Sequence, residues 1–143
     1  MTLQLRKPIT ANSELLGEFD FLDQDTRFPW YSNRSYGASV GYHITYDDPT
    51  GYIGLPWDTT IVGSRLWSPY LAPDPCCNTS GDPAVFVPGK RLDRRWRFGI
   101  TQAFQVADNV AMVLQLQRDI VSSNLSIYAY TSNSVLIGSQ IKF

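Results

Sequence analysis

Residues 35–46 read Ser-Tyr-Gly-Ala-Ser-Val-Gly-Tyr-His-Ile-Thr-Tyr, and this stretch decides the fold. Every second residue, Tyr36, Ala38, Val40, Tyr42, Ile44 and Tyr46, is apolar or aromatic. The residues between them, Ser35, Gly37, Ser39, Gly41, His43 and Thr45, are small or polar. A strand separates two such sets onto opposite faces, whereas a helix of period 3.6 would mix them. The stretch therefore predicts a strand with one apolar and one polar face.

The same alternation recurs on both sides. Residues 13–23 set Leu15, Gly17, Phe19 and Phe21 against Glu14, Leu16, Glu18, Asp20 and Leu22. Residues 96–106 set Trp96, Phe98, Ile100 and Phe104 against Arg97, Gly99, Thr101 and Gln105. Residues 110–120 set Met112, Leu114 and Leu116 against Gln115, Gln117 and Asp119. Residues 134–143 set Val135, Ile137, Ile141 and Phe143 against Leu136, Gly138, Gln140 and Lys142. With weaker segments at 2–9 and 58–67, about seven strands are expected, and no helix of convincing length. Residues 10–12 and 107–109 read as tight turns. Residues 24–34 and 68–94, rich in Pro, Gly, Asp and aromatics, read as long loops.

Composition narrows the setting. Charged residues make up 17% of the 143-residue chain, against about 25% in ordinary soluble proteins. Aromatics reach 13%, including eight Tyr and four Trp, which suits a protein with an interface to decorate. A net charge of -1 leaves no basic footprint for nucleic acid. No apolar run approaches the roughly 18 residues of a membrane helix, but a barrel strand is apolar on one face only and escapes that criterion.

Three features separate a membrane barrel from a soluble sandwich. Strands of about ten residues match a tilted bilayer crossing, where soluble strands average about five or six. Trp30, Tyr31, Trp57, Trp67, Tyr70, Trp96, Tyr128, Tyr130 and Phe143 fall near strand ends, where interfacial girdles belong. The polar face is rich in Gly, Ser, Thr and Gln, as a shared lumen requires. The alternation of short turns with long links matches the outer-membrane arrangement, short turns in the periplasm. The fold expectation is all-β: an antiparallel up-and-down transmembrane β-barrel segment of about six to eight strands, one domain over 1–143, and the C-terminal part of a larger barrel. The odd strand count carries the last point, because such barrels have even numbers.

The final strand carries a resemblance. Gly138, Ile141 and the terminal Phe143 are similar to the C-terminal assembly signal of bacterial outer-membrane proteins, with Leu136 where a polar residue is commoner. Asp93-Arg94-Arg95-Trp96, the hairpin at Asp108-Asn109, Ser123-Asn124, Tyr128 and Tyr130 resemble the last strands of barrels attached to tetratricopeptide domains, such as surface lipoprotein assembly modifiers. The resemblance covers about the last third of the chain. It implies an outer-membrane location, recognition by the barrel-assembly machinery, and a role in transport or export.

The residues expected to line the lumen are Glu14, Glu18, Asp20, His43, Arg65, Arg97, Gln115, Gln117, Asp119, Gln140 and Lys142. They serve either a hydrated, charge-tuned pore or a network of paired side chains that holds the lumen shut. Arg118 falls on the lipid face, where it can snorkel toward lipopolysaccharide phosphates. Outer-membrane lipids and lipopolysaccharide are thus the expected surroundings. No phosphate loop, dinucleotide fingerprint, zinc spacing or calcium loop is present, so neither cofactor nor metal is expected. Cys76-Cys77 forms no metal or redox spacing. Three Asn-x-Ser/Thr triplets, at Asn33, Asn78 and Asn124, are coincidences in a bacterial protein. Two alternatives stand beside the non-enzymatic barrel. One is a soluble all-β binding domain with an apolar pocket. The other is a barrel-embedded acyl hydrolase using the single histidine, His43.

Overall fold

The computed structural model describes residues 1–52, 54–78 and 88–141. It contains seven strands: β1 (Thr2–Thr10), β2 (Ser13–Gln24), β3 (Asn33–Tyr46), β4 (Trp57–Asn78), β5 (Pro88–Ala107), β6 (Val110–Ser123) and β7 (Tyr130–Ile141). They form one antiparallel sheet in the order β1-β2-β3-β4-β5-β6-β7, so each strand pairs with its sequence neighbours and β1 and β7 are the two edges. The expected all-β, up-and-down arrangement is present, and the sheet is open. The only helical elements among the described residues are single 3-10 turns at Pro29–Tyr31 and Ser126–Tyr128.

The tight turns fall where expected. Thr10 opposes Ser13 across the first hairpin, and Ala107 opposes Val110 across the fifth, each with a register shift just before the turn. Residues 47–56 return β3 to β4 at the same end, with Gly51 and Gly54 at φ 69° and 70°, the left-handed conformation glycine tolerates.

The expectation of a loop over 68–94 is corrected. β4 continues to Asn78 and β5 begins at Pro88, so the two form a hairpin that outruns its neighbours. Proline content argued for a loop because proline cannot donate to a ladder. Here Pro69 and Pro73 flank one register shift between β4 and β5, and a second follows before Asn78, so irregular pairing accommodates them. Residues 79–87, between the two strands, lie outside the described residues, as do Lys142 and Phe143.

Registry builds two continuous faces. One row of the apolar face runs Leu15, Tyr42, Ile61, Ile100, Leu116, Val135 across β2 to β7. The matching polar row runs Glu14, His43, Thr60, Thr101, Gln115, Leu136. On the polar side β3 approaches β4 closely. A Cβ on Gly37 would stand 2.9 Å from Leu66 Cδ1, and one on Gly41 would stand 3.1 Å from Val62 Cγ2. Glycine at these positions makes room for the larger side chains opposite.

Among the described residues no second layer covers either face. Among the described residues the buried apolar ones are Val121 and Leu125, while Phe19, Tyr36, Val40, Ile61, Phe98, Ile100, Leu116 and Val135 are all exposed on the apolar side. The accessible surface is 9799 Å². A compact soluble chain of this mass exposes about 7,400 Å². A folded domain ordinarily buries such a face against another layer.

Candidate functional site

The polar face gathers most of the residues singled out from sequence. Glu14, Glu18 and Asp20 on β2, His43 on β3, Arg97 on β5, Gln115, Gln117 and Asp119 on β6, and Gln140 on β7 all share it. Arg65 does not, and its assignment is corrected. It opposes Ala38 and Trp96, which places it on the apolar face. Its guanidinium carbon lies 4.4 Å from the Trp67 ring centre and 4.6 Å from that of Trp96. Its parity with Ile61, Gly63 and Trp67 already carried this signal. Lys142 lies outside the described residues.

The charges on the polar face are paired with neighbours. Gln4 Nε2 donates to Glu18 Oε2 at 2.7 Å, and Thr2 Oγ1 donates to Asp20 Oδ1 at 2.7 Å. Arg6 stands 3.9 Å from Glu14. Arg97 reaches Asp119 through Nε at 2.8 Å and Nη2 at 3.4 Å, and Gln117 Nε2 donates to the same carboxylate at 3.0 Å. A side-chain ladder thus crosses from β5 to β6, and another joins β1 to β2.

His43 is tied into the same face. Its Nδ1 lies 2.9 Å from Thr60 Oγ1, while Nε2 lies 3.6 Å from Asp58 Oδ1 and 3.5 Å from Thr45 Oγ1. Thr45 Oγ1 donates to Asp58 Oδ1 at 2.5 Å. Asp58 and Thr60 are partners that sequence reading missed, since only the β3–β4 register brings them beside His43.

A second cluster, also unforeseen, lies on the extended β4–β5 hairpin. Asp74 is 2% exposed and accepts from Tyr128 Oη at 2.6 Å and from the Cys76 backbone N–H at 2.9 Å. Arg91 ion-pairs with Asp93 and stacks on two rings, 3.5 Å from the Tyr128 centre and 4.4 Å from the Tyr70 centre. Asn124 donates through Nδ2 to the Lys90 carbonyl at 2.8 Å and accepts from the Leu92 N–H at 2.7 Å. The hydrogen bond to Asp74 raises the Tyr128 pKa above its ordinary value, with burial acting the same way. Burial raises that of Tyr70 against the lowering influence of Arg91. Cys76 is disulfide-bonded. The arrangement consumes its own donors and acceptors and acts as a clamp between the hairpin and the β6–β7 connection. The one sequence signal was the i, i+2 spacing of Arg91 and Asp93 on one strand face.

Asn33 and Asn124, two of the triplet asparagines, are spent on local structure. Asn33 donates to the Tyr31 carbonyl and Asn124 holds the backbone of β5.

The apolar face is organised in rows. At the tight-turn end Trp57 lies between its opposed neighbours Tyr46 and Phe104, at ring distances of 6.3 and 4.7 Å. Toward the other end, Tyr36 stacks on Trp67 at 5.8 Å, and Trp96 stacks on Phe98 at 6.0 Å. Aliphatic side chains fill the interval. Of the remaining expected girdle residues, Tyr70 and Tyr128 belong to the clamp. Tyr130 opposes Val121 on the polar face.

Among the described residues no helix is long and apolar enough to cross a membrane, and no group of His, Cys, Asp and Glu is placed to hold a metal ion. No protein-family model, curated protein or solved structure matches the chain.

Proposed function

We propose that this sheet is part of the wall of a bacterial outer-membrane β-barrel, non-enzymatic, that serves transport or export. The observation that carries the reading is the uncovered apolar face bounded by two aromatic rows. Trp57 and Trp67 stand ten residues apart on β4. At about 3.3 Å per residue and a tilt of about 40°, that interval spans about 25 Å of height, the thickness of the apolar band on such barrels. Lipid would cover the face that no protein layer covers. The polar face would line the lumen, with Arg97–Asp119 and the β1–β2 pairs tuning or narrowing it.

Closure requires more than these strands. In a seven-strand up-and-down sheet the two edges run the same way, so pairing β7 directly with β1 would be parallel. An odd number of further strands restores antiparallel closure throughout, and the larger barrel is therefore part of the proposal. The likeness of Gly138 and Ile141 to an outer-membrane assembly signal supports the same reading, with the free edge of β7 offered to the assembly machinery.

The test is detergent dependence of the full-length protein, followed by circular dichroism and heat-modifiable gel mobility. A β spectrum that appears only in detergent or lipid, with a folded form migrating differently from the boiled one, is expected. A monomeric β-rich protein in plain buffer would overturn the proposal in favour of a soluble binding domain.

The acyl-hydrolase reading has one observation in its favour, the placement of His43 between Thr60 and Asp58. Thr60 lies within unbroken ladders to β3 and β5, a poor place for the free backbone donors that an oxyanion needs. Hydrolysis of a chromogenic acyl ester, lost in His43→Ala, would establish that reading.

A further inference from the structure

One row of the apolar face differs from the others. It runs Gly63, Phe98, Arg118, Asn133 across β4 to β7, with a missing side chain at one end and a guanidinium and an amide at the other. The gap opens a groove of about 420 Å³, whose lining includes Ile61, Ile100, Leu116 and Val135 besides that row. Its size lies within the range of ligand sites, about 300–1,000 Å³. A Cβ built on Gly63 would meet Phe98 at 3.8 Å, an ordinary contact, so packing does not demand a glycine there.

The charge of this face is one-sided. Its paired rows carry Lys7, Arg34, Arg65, Lys90, Arg94 and Arg118 against a single acid, Asp23. That acid is engaged by Arg34 at 3.3 Å. Arg118 forms no ion pair with a carboxylate among the described residues. A cation amid aliphatic surface is costly to leave without an anion, and a long side chain can carry its charge toward one.

We propose that this groove holds an acyl chain of one lipopolysaccharide molecule, with a lipid phosphate against Arg118 and Asn133. The inference rests on the membrane reading above. Aliphatic walls fit the chain, and the uncompensated guanidinium fits the phosphate. Arg118 lies in the half of β6 remote from the Ala107–Val110 turn, toward the end of the sheet opposite the two-residue turns, from which the extended β4–β5 hairpin projects. In the outer-membrane arrangement that end faces outward, and the phosphorylated lipid of the outer leaflet is lipopolysaccharide.

The test uses the full-length protein in mild detergent, exchanged against purified lipopolysaccharide or against phosphatidylglycerol, with retained lipid counted by native mass spectrometry. Arg118→Gln and Gly63→Leu are each expected to reduce lipopolysaccharide retention about tenfold. Both are first scored for heat-modifiable mobility, and where the glycine variant does not fold, Arg118→Gln alone decides. Equal retention by the folded variants and the parent protein overturns the proposal, as does equal retention of phosphatidylglycerol. Failure of the membrane reading is distinct, because the parent protein would then show no detergent-dependent fold at all.

Discussion

Arg65 lies with its guanidinium carbon 4.6 Å from the ring centre of Trp96, the residue directly opposite it across the β4–β5 ladder. Trp67, two residues along the same strand, flanks the guanidinium at 4.4 Å. The cation is held by two π faces, and its buried Nε has no hydrogen-bond partner among the described residues. Such contacts are worth about 0.5–2 kcal/mol each, more where water is excluded. Trp96→Leu is expected to lower stability by about 1–2 kcal/mol, read as the urea midpoint of the folded protein in detergent or lipid. Arg65→Met in the Trp96→Leu background should then add less than it does alone.

Gly37 and Gly17 offer a paired comparison. A Cβ at Gly37 would meet Leu66 at 2.9 Å and the Arg65 carbonyl oxygen at 3.0 Å, whereas one at Gly17 meets only the Leu5 Cβ at 3.8 Å. Gly37→Val should destabilise by about 1–3 kcal/mol through overpacking. Gly17→Ala should be neutral or slightly stabilising, since a side chain restricts the unfolded strand. The same denaturation assay separates them.

The Arg97–Asp119 pair connects β5 to β6 on the polar face, where the Asp119 side chain is 13% exposed. Removing Arg97 alone leaves that carboxylate with Gln117 as its remaining side-chain donor. Arg97→Met is expected to cost about 1–3 kcal/mol, and Arg97→Met with Asp119→Leu to recover much of the loss. A double-mutant cycle on unfolding measures the coupling. Additive single effects would mean the pair is solvated rather than coupled.

The Tyr70–Arg91–Tyr128–Asp74 clamp predicts alkaline sensitivity. Both tyrosines hold their protons more tightly when folded, Tyr128 through Asp74 and Tyr70 through burial. At a pH between the unfolded and folded pKa values the folded state binds more protons, so stability falls as pH rises. Their contribution is complete below about pH 10 and is lost above it, as each folded-state pKa is passed. Tyr128→Phe should remove its share of this dependence and leave Asp74 with the Cys76 N–H as its remaining hydrogen-bond donor. Tyrosinate absorbance followed together with unfolding reads both effects.

Strand identity, face and turn position were determined by the sequence, because a period of two is a local property of the backbone. Residues 35–46 sorted themselves without any knowledge of their neighbours, and so did 13–23, 96–106 and 110–120. Parity even placed Arg65 beside Trp67, although its charge had suggested the other face. Tertiary structure decided what depends on register and on pairing across distance. It carried β4 and β5 through a proline-rich stretch, because irregular pairing at Pro69 and Pro73 suits residues that cannot donate. It brought Asp58 and Thr60 to His43, and Asp74 to Tyr128, 54 residues away in sequence. It also left the apolar face without a protein partner. Alternation shows that a strand has an apolar side; only the assembled sheet shows that nothing in the described chain packs against it.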